Sequence, residues 1–157
     1  MPHLTALLAL LLTVNVAVGG ELLKQAAGPY AVRTVEAVTV TDPVRDTDVT
    51  LRILHPDAEG TFPLVVFSSG AFCFPQMYDL VTGHWASHGY IVVVPNHIDS
   101  PNNENKPTPD TYDKFFPLRA RDLTFVVEEI DAIQAAADMR AVADPERVAS
   151  AGHSFGA

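Results

Sequence analysis

The chain of 157 residues has a single cysteine, Cys73, so it has no disulfide framework of its own, and it is not a cysteine-rich zinc module. Basic residues are also scarce, with 10 Lys+Arg against 19 Asp+Glu and a formal net charge of −9. Without a Lys/Arg run there is nothing to neutralise a phosphate backbone, which excludes nucleic acid as a partner. Charged residues make up only 18% of the chain and apolar ones 48%, so it is not a disordered polyelectrolyte. Its length suits one domain with a sizeable core.

Residues 1–20 form a distinct segment. Apart from His3 they hold no titratable side chain, and the apolar stretch from Leu4 to Leu12 runs on through Val14, Val16 and Val18. Thr13 and Asn15 interrupt it, and Ala17, Gly19 and Gly20 close it. That layout is expected of a secretory signal peptide cut near Gly19 or Gly20, which would make the product extracellular. A stable membrane span needs roughly 20 apolar residues and is not expected. The remaining residues, 21–157, are read as one domain.

Within it, Val35–Val40 and Val49–Leu54 alternate as the two strands of an antiparallel hairpin about Asp42-Pro43 and Asp46–Asp48. Pro56–Pro63 reads as a turn. Leu64–Phe67 and Ile91–Val94 are continuous apolar runs, as expected of strands buried on both faces of a parallel sheet. A helix is predicted over 77–88, capped by Gly89. Asn96–Pro117 reads as a long polar loop, a length that marks either a functional segment or a misassigned element. Leu123, Val126, Val127, Ile130, Ile133 and Ala137 then fall at helical spacing. After a turn at Asp144-Pro145, Val148–Ala151 leads into the final residues. Strands alternating with helices imply an α/β fold with a mostly parallel sheet flanked by helices.

Gly152-His153-Ser154-Phe155-Gly156 is a G-x-S-x-G pentapeptide directly after an apolar strand. In that setting the serine sits on a strained strand-to-helix turn, and the two glycines let neighbouring backbone pass closely. Ser154 is the candidate nucleophile. The oxyanion that forms when it attacks a carbonyl needs backbone N–H donors. The residue after the nucleophile, Phe155, supplies one; the loop after the earlier buried strand, Ser68-Ser69-Gly70-Ala71-Phe72, supplies the other through Ala71.

With these segments the chain resembles the N-terminal part of a secreted α/β-hydrolase of the dienelactone hydrolase and platelet-activating-factor acetylhydrolase type. The resemblance rests on FPLVVFSSGAF, WASHGYIVVVPNHIDS, RARDLTFVVEEID and DPERVASAGHSFGA, covering about Phe62 to Ala157. It implies Ser154 as nucleophile and Ala71 and Phe155 as oxyanion donors. Where such families read His-Gly after the first buried strand, this chain has Ser69-Gly70. Dienelactone hydrolase itself carries Cys at the elbow, so Ser154 points to an oxygen-ester hydrolase. The expected substrate is a small-molecule or lipid ester, with no cofactor and no metal. The competing readings are hydrolysis of a lactone, thioester, polyester or peptide, or a non-catalytic binding role.

In this fold the acid and then the base follow the serine. A chain ending three residues after Ser154 is therefore expected to be a fragment that stops at the elbow, inactive and poorly soluble at this length. Other polar residues have plainer readings. His84 and His88 form a helix-end pair rather than a metal site. His97 and Asp99 lie at the carboxyl edge of the second buried strand, as cleft lining or an ordinary polar loop. Cys73 is read as packing and His153 as packing beneath the turn. Asp122 is read as opening the last helix against its dipole, and Arg119 and Arg121 as pairing with nearby carboxylates. Phe72, Phe74, Phe115 and Phe116 flank the expected cleft, either lining an acyl or aromatic pocket or packing as core.

Overall fold

The computed structural model describes residues 26–103 and 113–157; the signal-peptide reading of residues 1–20 lies outside them, as does part of the loop predicted over 96–117. Five strands form one sheet: β1 (Val32–Asp42), β2 (Thr47–Pro56), β3 (Gly60–Ser68), β4 (Ile91–Pro95) and β5 (Ala141–Gly152). Their order is β1-β2-β4-β3-β5. Strand β2 pairs antiparallel with both neighbours, while β3 is parallel to β4 and to β5. Four of the five strands therefore run in one direction, and β2 alone is reversed.

The alternation of side chains along each strand divides the core between the two faces of the sheet. Leu64, Val66, Ile91 and Val93 join Leu51 and Ile53 on one face, beneath Phe125, Val126 and Ile133 of the helices α2 (Phe115–Glu128) and α3 (Ile130–Ala136). Val65, Phe67, Val92 and Val94 line the other face, where Tyr78 and Trp85 cover them. Trp85 belongs to helix α1 (Asp79–Ser87). Ile91 to Val94 are wholly buried, as their unbroken apolar run requires.

Several expected boundaries move. The hairpin strands are longer than their alternating runs, because Asp42 closes the turn: its Oδ1 accepts the Val44 N–H at 3.0 Å and its carbonyl accepts the Asp46 N–H at 2.9 Å. The turn predicted over 56–63 shrinks, since Gly60 to Pro63 pair with Ala141 to Asp144. Likewise Asp144-Pro145 does not end a strand. The ladder steps from Pro63↔Asp144 to Leu64↔Val148, so residues 145–147 bulge out of β5. In both places long-range pairing overrides local turn chemistry. The first predicted helix begins as a 3-10 turn, Pro75–Tyr78, and Gly89 ends it at φ +93° with its N–H on the Ala86 carbonyl at 3.1 Å. The second predicted helix starts earlier, at Phe115, and breaks at Glu129 into α2 and α3.

Candidate active site

The parallel pairing of β3 with β5 sets Ser68 opposite Gly152, so the loops leaving both strands emerge side by side at the carboxyl edge of the sheet. Open α/β sheets bind ligands at that edge. The chain turns sharply after β5. Ser154 takes φ +56°, the left-handed region that a residue with a Cβ seldom occupies, and its side chain is exposed. The turn closes as 3-10, with the Gly156 N–H on the His153 carbonyl at 2.9 Å and the Ala157 N–H on the Ser154 carbonyl at 3.1 Å.

Both glycines of the pentapeptide are sterically required. A Cβ on Gly152 would overlap the Gly156 carbonyl, and one on Gly156 would overlap the carbonyls of Ser68 and Ser69. The His153 N–H donates to the Ser68 carbonyl at 3.1 Å, seating the elbow directly on the end of β3.

The facing loop uses its amides one by one. The Gly70 N–H donates to the Tyr78 hydroxyl at 2.9 Å, the Phe72 N–H to Asp99 Oδ2 at 3.0 Å, and the Cys73 N–H to the Gly70 carbonyl at 3.2 Å. The Ala71 N–H has no partner among the described residues. The left-handed residue of this turn is Phe72, at φ +56°, whereas Gly70 is needed for close approach. A Cβ there would lie 3.1 Å from both His153 Nδ1 and the Tyr78 hydroxyl.

Beneath the two loops lies a buried polar network. Arg119 Nη1 donates to Asp99 Oδ1 at 2.6 Å, and its Nη2 donates to the Ser69 carbonyl and, at 3.3 Å, to Ser68 Oγ. Its guanidinium carbon sits 5.3 Å from the centre of the Phe155 ring, which also meets Phe116 edge-on at 6.0 Å. His97 is wholly buried, with Nδ1 2.7 Å from Asp122 Oδ2 and Nε2 3.0 Å from Ser68 Oγ. A carboxylate only accepts, so Nδ1 carries a proton, while Nε2 and the Ser68 hydroxyl share the second hydrogen bond. Asp122 also takes Arg45 Nη2 at 2.7 Å, and Arg45 Nε reaches Asp42 at 2.5 Å. Arg121 grips Asp42 through two nitrogens, at 2.6 and 3.0 Å. That guanidinium, aided by the Val44 amide and Arg45, holds the Asp42 carboxyl far below the usual carboxylate range. Asp42, Asp99 and Asp122 thus balance Arg45, Arg119 and Arg121 charge for charge.

Several sequence expectations change here. Asp122 does not face the helix dipole: it is in the interior of α2 and bonds His97 and Arg45. His97 and Asp99 do not line a cleft but lie under it, buried. His153 is exposed, not packed beneath the turn; its Nδ1 is 3.0 Å from the Tyr78 hydroxyl. Burial pushes the Tyr78 phenol up, and its hydroxyl accepts the Gly70 N–H while sharing a hydrogen bond with His153 Nδ1. Arg119 and Arg121 do pair with carboxylates. Phe115 is core, whereas Phe72, Phe74 and Phe116 are exposed. Cys73 is half-buried beside Gly70. The His84 and His88 rings meet at a tilt of 57° with centroids 4.5 Å apart, and among the described residues no group of three or more ligating side chains could hold a metal. Tyr78 was not visible as a site residue in the sequence. The sequence reading also missed Asp122 as a network member; the spacing 115, 119, 122 and 126, which traces one buried stripe of α2, is the signal that could have found it.

The reversed β2, the parallel β4-β3-β5 triplet and the turn at Ser154 define an α/β-hydrolase fold, in agreement with the resemblance seen in the sequence. Solved esterases share it. A dienelactone hydrolase homologue from Klebsiella pneumoniae superposes with a TM-score of 0.57 at 18% identity, covering 80% of this chain and 51% of that one. The ferulic acid esterase of Streptomyces cinnamoneus gives 0.57 at 18% identity, over 82% of this chain and 53% of that one. Residues 24–157 match the chlorophyllase family, and the chain belongs to it. Chlorophyllase-1 of Arabidopsis thaliana is 44% identical over 45 residues, 29% of this chain and 14% of that protein. The chain spans about half the length of the two structures.

Proposed function

We propose that Ser154 is the nucleophile of a carboxylic ester hydrolase working through an acyl-enzyme. The observation that carries this is the elbow itself. A serine held at φ +56° between two glycines that tolerate no Cβ is a strained arrangement, and such strain persists where it is used. Ser154 Oγ adds to the ester carbonyl, the oxyanion is met by the N–H groups of Ala71 and Phe155, and the alcohol departs with the proton taken from Ser154. Water then repeats the addition and releases the carboxylic acid. In this fold the acid and the base follow the nucleophile in the chain, so the roles fall neither to His97, buried between Ser68 and Asp122, nor to His153, whose Nδ1 bonds Tyr78.

The family name and the neighbours suggest the substrate panel: chlorophyll, a feruloyl ester and short-chain acyl esters. In the protein expressed from its native gene, a fluorophosphonate should label Ser154, and Ser154→Ala should abolish both labelling and hydrolysis of whichever ester is cleaved. Hydrolysis that survives Ser154→Ala would refute the assignment. Labelling at no residue would turn the reading towards a binding protein on a hydrolase fold.

A further inference from the structure

The 69–72 loop is held from two sides, and both holds bear on the same amide. From below, the Asp99–Arg119 pair takes the Phe72 N–H and the Ser69 carbonyl, the two peptide groups that flank Gly70-Ala71. From the open side, the Tyr78 hydroxyl takes the Gly70 N–H and reaches across to His153 on the elbow. We propose that Asp99, Arg119 and Tyr78 are positioning residues that clamp this loop against the elbow, so that the Ala71 amide alone is left aimed at the developing oxyanion. The inference rests on the reading of Ser154 as nucleophile.

Three observations support the clamp over simple structural glue. First, Phe72 stands at φ +56°, a strained conformation for a residue with a Cβ that relaxes unless its surroundings fix it. The bond from its N–H to a buried carboxylate is charge-assisted and supplies that restraint. Second, Asp99 and Arg119 are 2% and 3% exposed, so no water competes for the groups they hold. Third, both clamps also reach the elbow. Arg119 lies under the Phe155 ring, and Tyr78 bonds the neighbour of Ser154. The two oxyanion donors come from separate loops, yet each is referenced to the same pair of side chains. Donors that are already aimed need no reorganisation as charge develops, and a dry setting magnifies their effect. A buried ion pair used only as glue adds little net stability.

The test uses the native protein with Tyr78→Phe and Asp99→Asn. Active-site titration with a fluorophosphonate counts competent sites. Turnover of a p-nitrophenyl ester is then expressed per titrated site. An alkyl boronic acid reports oxyanion complementarity, because its adduct on Ser154 carries a negatively charged oxygen. Each variant is expected to lower kcat per titrated site by about tenfold to a hundredfold, below the loss for removing an oxyanion donor outright. KM should stay within about threefold, and boronate affinity should fall in parallel with kcat/KM. A structural role would instead reduce the number of titratable sites and leave turnover per site unchanged, and that result overturns the clamp. Tyr78→Phe keeps the ring on Phe67 and disturbs no buried charge, so it decides the matter even if Asp99→Asn does not fold. If the wild-type protein fails to titrate at Ser154, the nucleophile reading falls first. If it titrates and both variants turn over normally, the clamp alone falls.

Discussion

Replacing Gly156 by alanine adds one methyl group at the point where the elbow rests on β3. The new Cβ would overlap two backbone oxygens, those of Ser68 and Ser69. Neither can step aside: Ser68 is bonded to the His153 N–H at 3.1 Å, and the Ser69 carbonyl is held by Arg119. The elbow must therefore lift off the strand end. Overpacking of this kind costs about 1–3 kcal/mol, and losing the His153 bond adds about 1 kcal/mol. The sum, about 2–4 kcal/mol, corresponds to a fall in Tm of about 5–15 °C for a protein of 150–250 residues. Lifting the elbow also carries the Phe155 N–H away from Ala71, and a displacement near 1 Å at a reacting centre costs about a hundredfold in rate. The assay is thermal unfolding of the native protein together with the rate of fluorophosphonate labelling at Ser154. Gly83→Ala is the matched control. There the Cβ meets only Leu54 Cδ2, at 3.8 Å, within helix α1. That change should stabilise by about 0.5–1 kcal/mol and leave labelling untouched. If Gly156→Ala kept the wild-type Tm and labelling rate, the steric account of the pentapeptide would be refuted.

Two further outcomes are expected. Phe125 is wholly buried under the sheet, so Phe125→Ala should cost about 3–5 kcal/mol, read as a lower urea midpoint at unchanged m. Asp42 gives a pH signature. Arg121 and Arg45 depress its carboxyl in the folded state, so the unfolded chain binds the proton first. Its contribution is present above the unfolded value near 3.9 and is lost as pH falls below it towards the folded one. Tm of the native protein should begin to drop below about pH 5 and keep falling past pH 3, and Asp42→Asn should lower Tm at neutral pH and flatten that acid limb. Parallel curves for the two proteins would remove Asp42 from the account.

Much of the architecture was legible because it follows from burial alone. The unbroken apolar runs at Leu64–Phe67 and Ile91–Val94 identify strands buried on both faces, and those strands carry the loops of the site. Gly152 and Gly156 mark the elbow because backbone contact there leaves no room for a side chain. What stayed hidden depended on partners far along the chain. Pro63 and Pro145 look like breakers, yet both belong to strands that shift register around them. His97 and Asp122 read separately as a loop residue and a helix opener, although 25 positions apart they share a hydrogen bond. Nothing local marks such a pairing; only the buried stripe through Arg119, Asp122 and Val126 hints that these charges face inward.

That inward stripe raises the question of why charges stand where apolar groups would hold the sheet equally well. Buried ion pairs give back much of their attraction in desolvation, so stability alone is a poor reason for the Asp99–Arg119 and Asp122–Arg45 pairs. Direction is a better one. An apolar contact fixes distance and leaves a loop free to slide, whereas a carboxylate accepting the Phe72 N–H and a guanidinium donating to the Ser69 carbonyl fix the orientation of whole peptide planes. The network also ends on backbone at its upper edge and on a second ion pair, Asp42–Arg121, at its lower edge, so its members hold one another in place. On this reasoning, apolar replacement of Asp99 and Arg119 together would preserve the fold and lose the aim of the loop. A double variant that unfolds like the wild type but turns over slowly per titrated site is the outcome that follows, and full turnover in it would show that packing alone sets the loop.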